Sequence, residues 1–378
     1  MRDNRWNVSS NHPTVAKIDL IAFRENIRTF KSHVNKGMLL AVVKTNAYGH
    51  GILPTSHAAI EAGADRLGVT TVEEGTQLRK SGIKIPIQLL SSIFPEQAAD
   101  VVAYGLIASV SSRRLANALS EAAIKQNKEV CVHLKIDTGL HRFGIDPKEA
   151  TEFCRAVYGL PSLKWEGVYT HFSSADEGDW QTTENQFSLF METVAGLREK
   201  GFLFQVHHVG GSTIAIERPD MHLDMVRVGI ALFGYTSSQQ QKKLIALKPV
   251  MKLTTKIAQV RNLPPNTPVG YGGEYVTTSN EKLAILPIGH GDGYKRALSN
   301  KGEVLVGGKR AKIVGTISLD QMVVDITNID DVGETDEVVL IGKMGEDEIT
   351  ARDVAGWADS IVDEVLASLM ERVVRRYK

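Results

Sequence analysis

Met38-Leu39-Leu40-Ala41-Val42-Val43-Lys44-Thr45-Asn46-Ala47-Tyr48-Gly49-His50-Gly51 decides how the chain reads. An apolar, β-prone run ends at one lysine, and a polar, glycine-containing loop comes next. That is the pattern of a buried strand, its C-terminal end and the start of a connection. Similar runs recur at Arg66–Thr70, Ile85–Leu90, Leu106–Val110, Val130–Ile136, Glu166–His171, Phe204–His208 and Met225–Ile230. Between them lie Val72–Lys80, Arg114–Gln126, Pro147–Tyr158 and Thr183–Lys200, long enough for helices and apolar at helical spacing. Roughly eight β-then-α units predict a (β/α)8 TIM barrel. A doubly wound open sheet would use similar runs, so periodicity alone leaves both open. Lys44, Asp137, His171, His208 and Gly229 fall at or just beyond the C-terminal end of a predicted strand, the face where barrel active sites gather.

After about Leu244 the rhythm changes. Val250–Val260, Leu283–Ile288, Gly302–Val306, Lys312–Ile317, Met322–Ile326 and Glu337–Ile341 read as strands joined by glycine-rich turns, with few helices between them. This predicts a C-terminal, mostly-β domain. Thr350–Ile361 and Val362–Arg375 read as closing helices. The expected division is a barrel over 14–244 and a β-rich domain over 245–378, with the strand-like Thr14–Leu20 open to either.

The 44 basic and 44 acidic residues cancel, so no net field favours nucleic acid or an anionic membrane. Cys131 and Cys154 are the only cysteines, which suits a reducing compartment; Cys131, in an apolar run, reads as a core thiol. Met1-Arg2-Asp3-Asn4-Arg5-Trp6 leads into no apolar leader, and no stretch approaches the roughly 18 apolar residues of a membrane span. The expectation is a cytoplasmic protein acting on a small metabolite. His207 and His208 do not read as a metal site, because adjacent strand residues point to opposite faces.

Lys44 is the leading chemical candidate. A lysine at a strand's mouth often just reaches for solvent; one held there with a partly desolvated stem is expected to have its pKa lowered from the free value of about 10.4. A neutral amine there can form a Schiff base with an aldehyde cofactor.

Val42-Val43-Lys44-Thr45-Asn46-Ala47-Tyr48-Gly49-His50-Gly51 resembles the cofactor-lysine motif of alanine racemases, which carry pyridoxal 5′-phosphate (PLP). The resemblance continues at Lys135–Gly144, Tyr169–Phe172, Met225–Ile230, Val269–Gly273 and Pro287–Tyr294, in the family's order and over nearly the whole chain. It implies PLP-dependent racemisation of an amino acid, most simply alanine, to supply D-alanine for peptidoglycan. Inversion at Cα needs an acid/base group on each face of a planar intermediate. By resemblance these are Lys44 and Tyr271, with Tyr271 supplied by the opposite subunit of a homodimer. His171 and Arg227 form the relay that favours loss of the tyrosine proton. The resemblance also sets Arg227 against the cofactor's pyridine nitrogen. An arginine keeps its proton, so the electron sink there is only partial. Tyr48, Ser212, Gly229 and Ile230 match the phosphate cradle. Arg142 and the Leu319 amide face the substrate side. Lys135 is a candidate for carbamylation, which would let it orient Arg142.

Several positions depart from the family pattern. Ser318-Leu319-Asp320 replaces the usual Cys-Met-Asp, Gly211 replaces an asparagine and His290 a tyrosine. A pocket tyrosine aligns with Asp363, which puts strict alanine specificity in doubt and leaves open serine or basic amino acids as substrates. Two other readings remain: a barrel-fold PLP decarboxylase, and a non-enzymatic PLP carrier, which would resemble the barrel alone.

Overall fold

The computed structural model describes residues 6–7, 11–34 and 37–378. The reading of residues 1–5 as free of a leader lies outside the described residues. The chain divides into two compact units. One gathers the described residues up to Ala22 together with Tyr48–Pro54 and Pro249–Lys378; the other holds Phe23–Ala47 and Thr55–Lys248.

The second unit is the barrel. The chain's first strand, β1 (Val15–Ile18), belongs elsewhere. The barrel strands are β2 (Met38–Val42), β3 (Arg66–Val69), β4 (Ile87–Leu89), β5 (Ala108–Val110), β6 (Val130–Lys135), β7 (Leu163–Tyr169), β8 (Val206–His208) and β9 (Met225–Val228). All pair in parallel. β4, β3, β2 and β9 form one run and β5 to β8 another. A parallel bridge from Gln88 to Ile107 joins β4 to β5. The Arg227 amide donates to the Gly210 carbonyl (3.2 Å) and that of Asp224 to His207 (3.1 Å), joining β8 to β9. The ring of eight is thereby closed. β3 is buried along its whole length, as expected of a strand covered on both faces.

Helices succeed the strands. Val72–Lys80 starts where the Thr71 hydroxyl accepts from the Glu74 amide, and acidic Glu73 and Glu74 sit in its first turn. Arg113–Lys125 and Trp180–Glu199 are the longest helices between barrel strands. The strand and helix positions lie within a few residues of those the sequence predicts. Cys154 is buried, but Cys131 is only half-buried rather than a core thiol. It sits at the foot of β6, beside charged Glu129, Lys164, Glu166 and Arg66.

The other unit is built on a ten-stranded sheet. Its further strands are β10 (Met251–Lys256), β11 (Gln259–Leu263), β12 (Pro268–Val269), β13 (Tyr275–Val276), β14 (Glu281–Leu286), β15 (Glu303–Val306), β16 (Lys309–Val314), β17 (Met322–Asp325), β18 (Glu337–Met344), β19 (Asp347–Ile349) and β20 (Val374–Tyr377). The order is β11-β14-β17-β16-β15-β18-β10-β1-β20, with β19 on β18 and β12–β13 a separate hairpin. β1 lies between β10, antiparallel, and β20, parallel. β15 and β16 are joined by Gly307-Gly308, both at positive φ (55° and 78°), the backbone that a tight two-residue hairpin needs.

Two expectations are corrected here. Val250–Val260 is two strands, because the chain changes ladders: β10 pairs with β18, whereas β11 pairs with β14. Val362–Arg375 is a short helix, Val362–Ala367, and then β20. Its last residues complete the sheet, with the Lys378 amide donating to Ile18. Among the described residues no helix is long and apolar enough to cross a membrane.

Candidate active site

Lys44 stands two residues beyond β2, and the backbone after it is unusual. Thr45, Asn46, Ala47 and Tyr48 all have φ between 51° and 54°. This is a left-handed turn built without glycine, costing roughly 1–2 kcal/mol per residue. Strain of this kind persists only where the surroundings impose it. The Ala47 amide donates to Val43 (2.9 Å), and the Val43 amide to Gly68 on β3 (2.8 Å). The Glu74 carboxylate accepts from the amides of Asn46 (3.3 Å) and Thr70 (3.1 Å). The turn therefore sets the direction in which Lys44 leaves the strand end. Nothing in the sequence pattern marks it.

Arg227, on β9 beside β2, is buried (5% exposed). Its guanidinium donates to His208 Nδ1 (2.8 Å), His171 Nδ1 (2.8 Å) and the carbonyls of Thr170 and Val209 (both 3.0 Å). Desolvation pulls it down to about 10. A guanidinium can only donate, so both imidazole nitrogens facing it are unprotonated acceptors. Burial drives His171 and His208 well below the ordinary histidine range, so both are neutral. His171 thus carries its proton on Nε2. Tyr169 stacks flat on His208, ring centroids 4.6 Å apart, and its hydroxyl donates to Ser109 (2.6 Å).

Lys135 ends β6 and is almost fully buried (1% exposed). Its ammonium donates to the Ile136 carbonyl (2.8 Å) and lies over the Phe143 and Tyr169 rings. Burial, then the charges of Arg227 and Arg142, lower its pKa to about 7. Arg142 itself is exposed, on the loop that the Asp137 carboxylate caps at Gly139 and His141.

Ser212 and Gly229 are brought together by a bond from the Gly229 amide to the Ser212 hydroxyl (3.1 Å). Ser212 opens the helix Ser212–Glu217, and Ile230 opens the 3-10 turn Ile230–Phe233. Two helical N-termini converge there, a donor set that fits a phosphate. A cavity of about 160 Å³ borders Arg142, His171, Gly211 and Thr213. A side chain at Gly211 would reach 3.5 Å from the His171 ring.

The remaining candidates lie in the β-rich unit. Tyr271 opens a turn between β12 and β13 and is 74% exposed. Ser318-Leu319-Asp320 is gripped from behind by the loop after β14. The amides of His290 and Gly291 donate to the carbonyls of Ser318 (3.0 Å) and Leu319 (2.7 Å), and Leu319 is exposed. Asp363 is half-buried in the first turn of Val362–Ala367. The Tyr48–Pro54 segment meets that helix: Gly49 packs on the Leu366 carbonyl, and Arg375 donates to the Gly49 carbonyl (3.0 Å). Tyr48, buried, and Asp363 therefore flank one corner of this unit.

His207 and His208 do point apart: His207 pairs with Asp224 (2.8 Å), while His208 faces Arg227. Among the described residues no group of three or more His, Cys, Asp or Glu side chains is placed to hold a metal ion.

A closed parallel barrel with a lysine, an arginine and a histidine gathered at the C-terminal strand ends defines a (β/α)8-barrel enzyme. The alanine racemase N-terminal domain model matches residues 18–237, and the C-terminal domain model matches residues 250–377. The alanine racemase of Halothermothrix orenii is 41% identical over 97% of each chain. That of Desulfovibrio desulfuricans is 40% identical, covering 98% of this chain and 99% of its own. Among solved structures, the alanine racemase of D-cycloserine-producing Streptomyces lavendulae superposes with a TM-score of 0.92, at 34% identity over 98% of each chain. That of Bartonella henselae, with covalently bound pyridoxal phosphate, gives 0.86 at 29% identity, over 97% of this chain and 99% of its own. The chain belongs to the alanine racemase family, isomerases of amino acids.

Proposed function

We propose that this protein is a PLP-dependent racemase that interconverts L- and D-alanine, working as a cytoplasmic homodimer and supplying D-alanine for peptidoglycan. The observation that carries the reading is Arg227: a buried guanidinium whose four bonds run to two imidazoles and two carbonyls. When bound, PLP supplies an electron sink for the charge left on Cα. An arginine facing its ring nitrogen keeps that sink shallow, which suits proton return over decarboxylation.

In this reading Lys44 holds the cofactor and moves the Cα proton on one face. Tyr271 serves the other face from a second copy of the chain; its exposed position on a glycine-rich turn is compatible with that. Tyr48, His171, Ser212, Arg227, Gly229 and Ile230 bind the cofactor. Ser212 and the 229–230 turn hold its phosphate, and Arg227 positions its ring. His171, proton on Nε2, is the neutral link between Arg227 and the tyrosine. Arg142 and the Leu319 amide bind the substrate carboxylate side, with Lys135, Asp320 and Asp363 supporting. The boundary near 244/245 belongs to the same reading, with the N-terminal strand 14–20 assigned to the β-rich part rather than to the barrel.

The test is incubation of the purified protein with L-alanine in heavy water. Optical rotation should fall to zero with one deuterium entering at Cα. Lys44→Ala should abolish both, together with the near-visible absorption of bound cofactor. Tyr271→Phe should slow one direction of proton transfer more than the other. Carbon dioxide release without inversion would instead favour a decarboxylase, and cofactor absorption without deuterium uptake a carrier.

A further inference from the structure

The Arg227 contacts continue down the barrel axis. His208 Nε2 lies 2.9 Å from His133 Nδ1, and His133 Nε2 lies 2.9 Å from Glu166 Oε2. Glu166 is clasped by both terminal nitrogens of Arg66 (2.7 and 3.1 Å). These five residues come from β9, β8, β6, β7 and β3. Arg66 and Glu166 stand on strands four apart in the ring, so their contact crosses the interior. Both imidazoles are fully buried, and Arg66 is 6% exposed.

Proton placement in this chain has one solution. Arg227 can only donate and an ionised Glu166 can only accept. His208 must therefore accept at Nδ1 and donate from Nε2. His133 must in turn accept at Nδ1 and donate from Nε2 to the carboxylate. Any other tautomer, or an imidazolium at His208, sets donor against donor. Burial holds both rings neutral, and the bonds from His133 and Arg66 hold Glu166 down at about 2. The carboxylate at the foot of the barrel is thus the terminal acceptor for a chain that begins at the site.

We propose that Glu166, braced by Arg66, is a positioning residue for the reaction: as the acceptor at the end of the chain it anchors His133 and His208, whose tautomers Arg227 already sets, and through them holds the Arg227 guanidinium in place. This rests on the racemase reading for its effect on rate, but not for the tautomers themselves. A buried ion pair serving stability alone requires no imidazole within bonding distance of the carboxylate and anchors no chain that reaches the site. Here Glu166 Oε2 is shared between Arg66 and His133.

Selective ¹⁵N labelling of histidine in the purified full-length protein reads the tautomers directly, with signals assigned by single-histidine replacement. His133 and His208 should both appear as neutral Nε2–H forms at pH 7. An Nδ1–H form or an imidazolium at either ring overturns the proposal, whatever the activity. The paired variant Arg66→Met, Glu166→Leu replaces the ion pair by apolar groups of similar length, a change cores often tolerate. It should leave the His133 Nε2–H without its acceptor, shift the ¹⁵N signals of His133 and His208 while both stay Nε2–H, and lower kcat by about 10-fold or more, the scale on which outer partners of functional groups act. A wild-type kcat, or a lowered kcat with an unchanged His208 signal, overturns the positioning role. If the variant does not fold, the wild-type tautomers still decide. Absence of racemisation in the wild type, with the predicted tautomers present, would remove the assigned function and leave the relay standing.

Discussion

The Arg227 guanidinium meets His208 Nδ1 at 2.8 Å, and this contact makes an imidazole an acceptor inside a barrel. Histidine at a surface is free to choose its tautomer; here an obligate donor has chosen it. Arg227→Lys should therefore be a severe change. An ammonium cannot span two imidazoles and two carbonyls, and each lost bond to a charged group costs roughly 1.5–3 kcal/mol. The racemisation rate should drop by about 10- to 100-fold or more. Steady-state kinetics in both directions measure this, and a rate within twofold of wild type would contradict it.

Acid should weaken the fold in two stages. His133, His171 and His208 are held neutral when folded, their pKa values lowered by burial. Below the unfolded value of about 6.5 the unfolded chain takes up protons that the folded one refuses, so stability falls. Glu166, lowered from 4.5 to about 2, adds a contribution present above 4.5 and lost as pH falls towards 2. Urea midpoints should drop between pH 7.5 and 5, and again below 4.5. A midpoint constant from pH 7.5 to 5 would rule this out.

Lys135, with its pKa near 7, has a substantial neutral fraction at physiological pH. A neutral buried amine beside two arginine charges can capture carbon dioxide as a carbamate, which those charges would favour. ¹³C-bicarbonate should give a carbamate carbonyl resonance that disappears in Lys135→Ala. No resonance at saturating bicarbonate would dismiss the modification. If the amine stays unmodified, stability should instead rise from pH 7 towards 10.5, as the unfolded lysine loses its proton.

Gly49→Ala should destabilise by about 1–3 kcal/mol or more. The residue sits at φ 80°, and an added Cβ would lie 2.2 Å from the Leu366 carbonyl oxygen, which is backbone and cannot swing away. Thermal unfolding of the variant checks this; an unchanged Tm would mean the loop relaxes without cost.

Asp363→Tyr tests the departure from the family pattern. Asp363 lies in the corner that also holds the Tyr48–Pro54 segment. The aspartate form should accept serine or basic amino acids measurably beside alanine, and the tyrosine form should narrow that range. A racemisation panel identical in the two proteins, or activity on alanine alone in both, would end the idea.

The barrel was legible because buried parallel strands are short apolar runs at regular spacing, and Val72–Lys80 matches its predicted helix to the residue. Lys44 stood out only through the motif it heads, since a strand-end lysine taken alone more often just reaches for solvent. The split of Val250–Val260 and the strand β20 were not, since both depend on which ladder a segment joins. Glu166, Arg66 and His133 carried no signal either. Each is one polar residue in or beside an apolar run, and only their meeting gives them a role.

What the sequence determined by itself is the alternation of strand and helix, the change of rhythm after Leu244 and the residue types at the strand ends. These are local: they arise from side-chain periodicity and backbone preference within a few residues. Tertiary structure decided the left-handed turn after Lys44, the tautomers of three histidines and the lowered pKa of Lys135. The turn is held by acceptors on β3 and the helix after it, while the histidines and Lys135 depend on desolvation and on donors and charges from strands far apart in the chain; none of this exists until the barrel closes.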